Sequence, residues 1–195
     1  MKIMRKIAYM LVAAFAVISL SSCGYNSMVT LDEQVQSQWA QVQNVYQRRA
    51  DLVPNLVNTV KGAANFEQET LTKVIEARAK ATAVTVDASK LSPESIQKFQ
   101  AAQGELSQSL SRLLVSVERY PELKANQNFL ELQAQLEGTE NRITVERQKF
   151  NEVTQEYNAK IRTFPNNLTA NMFGFEKKGY FQADAGAEKA PKVQF

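Results

Sequence analysis

The sequence predicts an all-α protein: an elongated, up-and-down antiparallel bundle of about four helices, two long and two shorter, with an aromatic C-terminal tail packed on it. Three observations support this class. Two long stretches, 26–63 and 126–164, carry apolar residues at helical spacing, only 7 glycines and 5 prolines occur in 195 residues, and no useful stretch alternates with the period of a strand. A helix over 126–164 would be roughly 58 Å long, so its partners must be long helices too.

The stretch 126–164 predicts the helix that the other helices have to fit. No proline interrupts it. Its apolar and aromatic residues recur at gaps of three, four or seven, which places them in one stripe along a helix. The stripe consists of Phe129, Leu132, Leu136, Ile143, Phe150, Val153, Tyr157, Ile161 and Phe164.

The stretch 26–63 predicts the second long helix, with a continuous core face. That face consists of Met28, Leu31, Val35, Trp39, Val42, Tyr46, Leu52, Leu56 and Val60. Pro54 lies inside this pattern, and a proline costs about 3 kcal/mol in a regular helix, so we expect a kink near residues 49–52. The polar residues around it could form a site at the bend, or a solvated face that satisfies the broken backbone.

The two shorter helices are predicted over about 66–83 and from Pro93 to about Tyr120. Ser92 can cap the second of these, Pro93 needs no donor in the first turn, and Glu94 complements the positive end of the helix. The helix should stop at Tyr120, because a residue before proline is pushed out of the helical region.

The N-terminus has the order of a secretory signal. Lys2, Arg5 and Lys6 precede an apolar run over 7–20, and Leu20-Ser21-Ser22-Cys23 follows, which resembles a bacterial lipobox. The run is shorter than the ~20 apolar residues of a spanning helix, so an uncleaved transmembrane anchor is the less favoured alternative. We therefore predict a signal peptide over 1–22, a lipidated N-terminus over 23–25 with covalent lipid on Cys23, a bundle domain over 26–164 and an extension over 165–195.

This N-terminus predicts a lipid-anchored protein of the bacterial cell envelope with its domain outside the cytoplasm. Gly24, which follows the cysteine, favours the outer membrane over the inner one. Removing residues 1–22 takes three of the 23 basic residues and none of the 20 acidic ones, so the mature chain is neutral. A neutral domain without a basic block excludes nucleic acid as an expected partner.

The composition also narrows the chemistry. With no histidine and one cysteine, zinc sites, Cys-His nucleophile pairs and intrachain disulfides are excluded. The acid–base candidates are the pairs Glu67/Glu69 and Glu137/Glu140, and such pairs on helices are usually solvated. We expect no enzyme, no metal and no cofactor other than the lipid.

Polar residues in the middles of the two long helices form the candidate interaction cluster: Arg49, Asp51, Asn55, Glu140, Asn141, Arg142 and Arg147. Two antiparallel helices of similar length bring their middles together. We therefore hypothesise that the bend holds Asp51, Asn55 or both against Arg142 or its neighbours Glu140 and Asn141. Whether the cluster is structural or a binding site stays open.

The C-terminal extension holds four of the ten phenylalanines, and disordered segments have few aromatic residues. Its aromatic residues could pack back on the bundle or form a patch for a partner. The candidate patch consists of Phe173, Phe175, Tyr180 and Phe181. The small and polar segment 183–189 is expected to be mobile.

Several motifs resemble the LemA family: Tyr25-Asn26, Trp39, the run from Arg49 to Val57, Lys61-Gly62, Ala77-Arg78, the run from Tyr120 to Ala125, the run from Thr139 to Ile143, Tyr157-Asn158 and Phe164-Pro165. The resemblance covers residues 25–195. It implies a helical bundle held at a bacterial membrane by its N-terminus, without established enzymatic activity. Many relatives have a transmembrane helix where this chain has a lipobox.

Two function classes follow. The first is a non-enzymatic scaffold or adaptor that binds other envelope proteins or assembles with itself. The resemblance adds that such genes often accompany membrane metallopeptidases or TPM-domain proteins. The second is a module that binds a small ligand or peptide between helices, which would need a cavity.

Overall fold

The computed structural model describes residues 2–62 and 66–183, and the side chains from residue 24 onward. All regular secondary structure in these ranges is helical, which confirms the all-α class. The helices are α1 (Lys2–Lys61), α2 (Gln68–Ala83), α3 (Pro93–Val117), α4 (Pro121–Lys124), α5 (Gln127–Arg162) and α6 (Asn166–Phe173).

This part of the chain thus has six helices where about four were expected. The two additional ones are short, and each begins at or directly after a proline, Pro121 for α4 and Pro165 for α6. Proline ends a helix before it, but it also suits the first turn of a new helix, because the donor it lacks is not needed there.

The two long helices pack along each other in opposite directions. Gln38 of α1 donates a hydrogen bond to Glu146 of α5 at 2.7 Å, whereas Arg49, further along α1, meets Glu140, earlier in α5. The second half of α1 and the middle of α5 are therefore adjacent, as the sequence predicts for the middles of the stretches 26–63 and 126–164.

Helices α2 and α3 form a second antiparallel pair. Lys80 near the end of α2 bonds Glu105 at 3.2 Å, and Glu67 at its start bonds Arg119, just after α3, at 2.8 Å. The Arg78 guanidinium joins this pair to α1 by donating to the carbonyl of Ala50 at 2.7 Å.

The core has two parts. The first surrounds Trp39, which is fully buried as predicted and contacts the rings of Phe99, Phe150 and Phe181. The second lies between the end of α1, α2, α3, α4 and the first part of α5, and includes Leu56, Leu71, Leu106, Leu123 and Leu136.

The stripe predicted over 126–164 is buried at most of its positions, but the prediction is wrong for Phe164. It is 76% exposed, because α5 ends at Arg162 and Thr163 turns the backbone to an extended conformation. Leu132 and Val153 are half-buried.

The predicted start of α3 is confirmed, since the Ser92 hydroxyl accepts a hydrogen bond from the N–H of Ser95 at 3.2 Å.

Helix α1 runs without a break from Lys2 past the predicted boundary at residues 22 and 23, and on through Pro54 to Lys61. Within the described residues, no helix has a segment both long and apolar enough to cross a membrane. The predicted signal segment and Cys23 lie in α1, but their side chains are outside the described residues, as is the segment from residue 184 onward.

Candidate functional site

A buried arginine on α1 is the centre of the candidate site. Arg49 is 1% exposed, and its Nη1 donates to the Ser107 hydroxyl at 2.6 Å and to the Glu140 carboxylate at 3.0 Å. Its Nη2 donates to the side-chain oxygen of Gln103 at 2.7 Å and to the Gln103 carbonyl at 3.1 Å. A buried charge is stable only with such hydrogen-bond partners. Because these partners lie on α3 and α5, the guanidinium joins α1 to both helices.

Gln103 extends this network to the end of α2. Its amide oxygen accepts from Arg49, and its amide nitrogen donates to the carbonyl of Ala81 at 3.1 Å. Both ends of the amide are thus used, which orients the side chain. Tyr46 completes the surroundings, with its ring centre 5.0 Å from the guanidinium carbon of Arg49.

A surface groove of about 530 Å³ opens above Arg49, and we call it the α3–α5 groove. Its walls include Gln100, Gly104, Ser107 and Gln108 from α3, and Glu140 and Arg147 from α5. The volume lies in the range of small-molecule pockets. Most of its lining residues are charged or carry an amide, so it offers both hydrogen-bond donors and acceptors to a partner.

A second polar arrangement holds the C-terminal tail, residues 175–183, against the bundle. The Asn158 amide accepts from the N–H of Lys178 and donates to its carbonyl, both at 2.9 Å, and Asn151 does the same for Phe181 at 2.9 Å. Gln100 of α3 pairs in the same way with Gln182. These side chains satisfy an extended backbone without a sheet.

Lys178 is buried at the same place. Its ammonium bonds Asp32 of α1 at 2.7 Å and lies 5.1 Å from the ring centre of Tyr157. The Tyr157 hydroxyl donates to the carbonyl of Glu176 at 3.1 Å. Burial, and then the negative charges of Asp32 and Glu176, raise the pKa of Tyr157, so the phenol stays protonated and keeps this bond.

Gly179 allows the tail to approach the bundle closely. Its N–H donates to the Leu91 carbonyl at 2.9 Å, and a Cβ at this position would lie 2.7 Å from the Cα of Pro93. Any other residue would force the tail or the backbone at the start of α3 to move.

The LemA family model matches residues 38–195, which contain both the Arg49 network and the tail. The chain belongs to the LemA family. Protein LemA of Metamycoplasma hominis is 26% identical over 158 residues, which are 81% of this chain and 68% of that protein. Magnetosome protein MamQ 2 of Paramagnetospirillum magneticum is 27% identical over 179 residues. This LemA family chain covers 64% of that relative, and 81% of the chain is matched. These names describe no reaction.

The polar cluster predicted for this LemA family chain is only partly assembled. Glu140 meets Arg49, but the hypothesis that the bend holds Asp51 or Asn55 against Arg142, Glu140 or Asn141 is wrong, because in the described contacts neither side chain bonds any of the three. Asp51 is exposed and accepts from Gln47 on its own helix at 2.8 Å. The reason is the helical phase. Asp51 follows Arg49 by two residues, or about 200° around the helix, so it faces solvent when Arg49 faces the core.

The remaining members of the predicted cluster lie apart from the buried network. Asn55, Asn141 and Arg142 are exposed. Arg147 is half-buried, donates to the Gln182 carbonyl at 2.7 Å, and lies 5.1 Å from the ring centre of Phe181. It therefore belongs to the tail contact as well as to the wall of the α3–α5 groove.

The predicted aromatic patch is split between core and surface. Phe181 is 5% exposed and packs on Trp39, so it cannot serve as a partner surface while the tail is docked. Phe175 and Tyr180 are half-buried, and Phe173 is exposed. The tail packs back on the bundle chiefly through Phe181, which was one of the two interpretations of the sequence.

The carboxylate pairs have the surroundings of solvated residues. Glu69 pairs with Lys73, whose hydrogen bond and charge lower the pKa of that carboxyl, the opposite of what a general acid needs. Glu137 is exposed and accepts from Gln133 at 3.0 Å. In the described ranges no three Asp, Glu or Cys residues are grouped so that they could hold a metal ion.

Sequence reasoning missed several residues that build these sites, and a signal existed for some of them. Gln103 interrupts the inner stripe of α3 between Phe99 and Leu106, which marks it as a polar residue that is buried. Asn151 and Asn158 are seven residues apart beside the stripe of α5, so they share one face of the helix. For Lys178 and Ser107 the sequence has no comparable signal.

Proposed function

We propose that this LemA family chain is a lipid-anchored, non-enzymatic helical scaffold or adaptor of the bacterial envelope. The observation that carries the proposal is the continuity of α1. One helix leads from Cys23, the proposed lipid site, into the bundle, where its Arg49 is bonded to α3 and α5. A body joined to its anchor by a continuous helix holds its binding surfaces at a defined distance and orientation from the membrane.

The anchor is proposed to be covalent lipid on Cys23 after removal of residues 1–22, with the domain in the periplasm and the outer membrane favoured. The chains of a lipidated cysteine suffice for stable attachment, because each buried CH₂ contributes about 0.8 kcal/mol. Three relatives are named for a cellular structure, the magnetosome, rather than for a reaction, which is consistent with a structural role.

The α3–α5 groove is the proposed contact surface for another envelope protein or a second copy of the chain. Its charged and amide walls offer both donors and acceptors above a floor that Arg49 holds rigid. The first partners to test are a membrane metallopeptidase and a TPM-domain protein, which the family resemblance suggests.

Site-specific crosslinking in living cells tests the adaptor. A photoreactive amino acid replaces Gly104, where an added Cβ would meet no other atom within 4 Å, and in a control it replaces Gly138, which is equally open but lines a different surface of α5. An adaptor should give an adduct of constant mass from position 104 and none from position 138. Equal adducts at both positions, or none, would contradict this contact surface.

The second candidate is a module for a small ligand or peptide, and the volume of the α3–α5 groove favours it. Thermal unfolding in the presence of a ligand collection separates the two. A ligand that raises the unfolding temperature of the wild type but not of a Gly104→Leu variant, together with no crosslinked protein at position 104, would favour the module.

A further inference from the structure

Exposed large apolar side chains gather around α6. Phe164, Leu168, Met172 and Phe173 are 76%, 62%, 73% and 56% exposed, and we call them the α6 face. The other strongly exposed residues of this type in the described ranges lie singly on α2, α3 and α5: Ile75, Val115, Leu130 and Val145. Single residues need no explanation, but a contiguous patch marks a contact surface.

Most of the α6 face is turned to solvent. Leu168 and Met172 are four residues apart and share one side of the helix. Phe164 lies just before the helix, and Phe173 lies at its end, where its ring also contacts that of Tyr25. Ala170, on another side, is buried against the bundle. A surface helix normally turns polar residues outward, so α6 has the wrong polarity for water on its outer side.

Contacts place α6 next to the predicted anchor. A Cβ at Gly24 would lie 2.5 Å from the side-chain oxygen of Asn166 at the start of α6, and the rings of Tyr25 and Phe173, at its end, are 4.8 Å apart. Both ends of a helix about 12 Å long thus reach consecutive residues of α1, so α6 lies across α1. The residues of α1 that α6 crosses, Gly24 and Tyr25, come directly after Cys23 in the sequence and shortly after the apolar run over 7–20.

The chain segments that flank α6 carry mainly positive charges. Lys160 and Arg162 precede it and Lys177 follows it, with Glu176 as the acidic residue of this segment. Lys178 does not contribute, because its ammonium is buried against Asp32. Basic residues around an apolar face are typical of helices that lie at the surface of an anionic membrane.

We infer that α6 is an interfacial helix whose exposed face lies in the headgroup region of the bilayer that holds the N-terminus. The inference rests on the proposed membrane anchoring. Because α6 lies across α1, insertion of the α6 face into the headgroup region holds the α1 axis at a steep angle to the membrane plane. This limits the tilt of the bundle. The α6 face therefore gives the scaffold a second membrane contact that restricts its orientation.

Tryptophan quenching in vesicles tests this contact. The full chain, as Leu168→Trp or as the control Leu130→Trp near the far end of α5, is reconstituted into phosphatidylcholine vesicles with some phosphatidylglycerol, with or without brominated acyl chains. Buried Trp39 is measured in the wild type and subtracted. The Leu168→Trp emission should shift to the blue and fall at least about twofold with brominated lipid, whereas that of Leu130→Trp should not change.

The other outcomes overturn the inference in distinguishable ways. If the protein floats with the vesicles but neither variant responds, the α6 face does not touch lipid, although the anchor holds. If both variants respond equally, lipid contact is not specific to the α6 face and does not restrict the orientation of the bundle. A blue shift without quenching at position 168 would mean that a second copy covers the face. If the protein does not float, the proposed anchoring fails too. A Met172→Trp variant repeats the test, and circular dichroism at the helix band equal to that of the wild type shows that the variants fold.

Discussion

Replacing Arg49 by alanine tests the buried network. The change removes all four hydrogen bonds of the guanidinium. It leaves the Gln103 oxygens buried without this donor, which costs about 1–3 kcal/mol, and it removes a packed side chain. Glu140 can rehydrate, since its side chain is 53% exposed, and the charge no longer has to be desolvated. The balance predicts a loss of about 3 kcal/mol in the free energy of unfolding.

Three further variants separate the contributions. Arg49→Lys keeps the charge but cannot donate to α3 and α5 at once with a fork, so we expect a loss of about 2 kcal/mol. Glu140→Gln keeps an acceptor and changes only the exposed partner, which should cost less than about 1 kcal/mol. Asp51→Ala is the matched control on the same helix, exposed and bonded only to Gln47 in the described contacts, and should cost less than about 0.5 kcal/mol.

The assay is urea unfolding of the full chain in a mild detergent, monitored by circular dichroism at the helix band. The slope of the unfolding free energy against urea concentration is compared between variants. The expected order of destabilisation is Arg49→Ala, Arg49→Lys, Glu140→Gln, then Asp51→Ala. An Arg49→Ala variant as stable as Asp51→Ala would refute the reasoning, since the buried network would then contribute no net stability.

The other predictions concern pH, the tail and the anchor. Hydrogen bonding by Lys149 lowers the pKa of Glu146 in the folded protein, so the stabilisation is present above the unfolded pKa and is lost as the pH falls below about 4. Glu146→Gln should therefore flatten the acid side of the stability–pH curve, and an unchanged curve would contradict this. Asn158→Ala leaves two buried backbone groups of the tail without their hydrogen-bond partners and should lower the free energy of unfolding by about 2–4 kcal/mol. The control Glu156→Ala, at an exposed position, should lower it by less than about 0.5 kcal/mol. Protease should also cleave the tail of Asn158→Ala faster. Equal protease sensitivity of the two would argue against the clamp. Cys23→Ser should leave an uncleaved precursor without acyl chains, as measured by intact mass. A wild-type protein that retains residues 1–22 and carries no lipid would disprove the anchor.

The sequence by itself determined the helices and most of their buried faces. The stripe of α5 and the Ser92-Pro93 start of α3 are local properties, because helical spacing and a cap depend on residues within one or two turns. For the same reason Trp39 was placed in the core correctly. The expected helix count was too low because Pro121 and Pro165 each end one helix and begin another.

Only the tertiary structure decided which polar residues matter. Arg49 and Asp51 belong to one polar run, and packing alone selects the arginine, because its partners Gln103 and Ser107 come from α3, more than 50 residues away. The tail is the clearest case. Its extended backbone has no periodicity of its own, and its position depends on Asn158, which bonds Lys178 across 20 residues, and on the space that Gly179 leaves beside Pro93. Such contacts exist only after the helices have packed, so no local pattern predicts them.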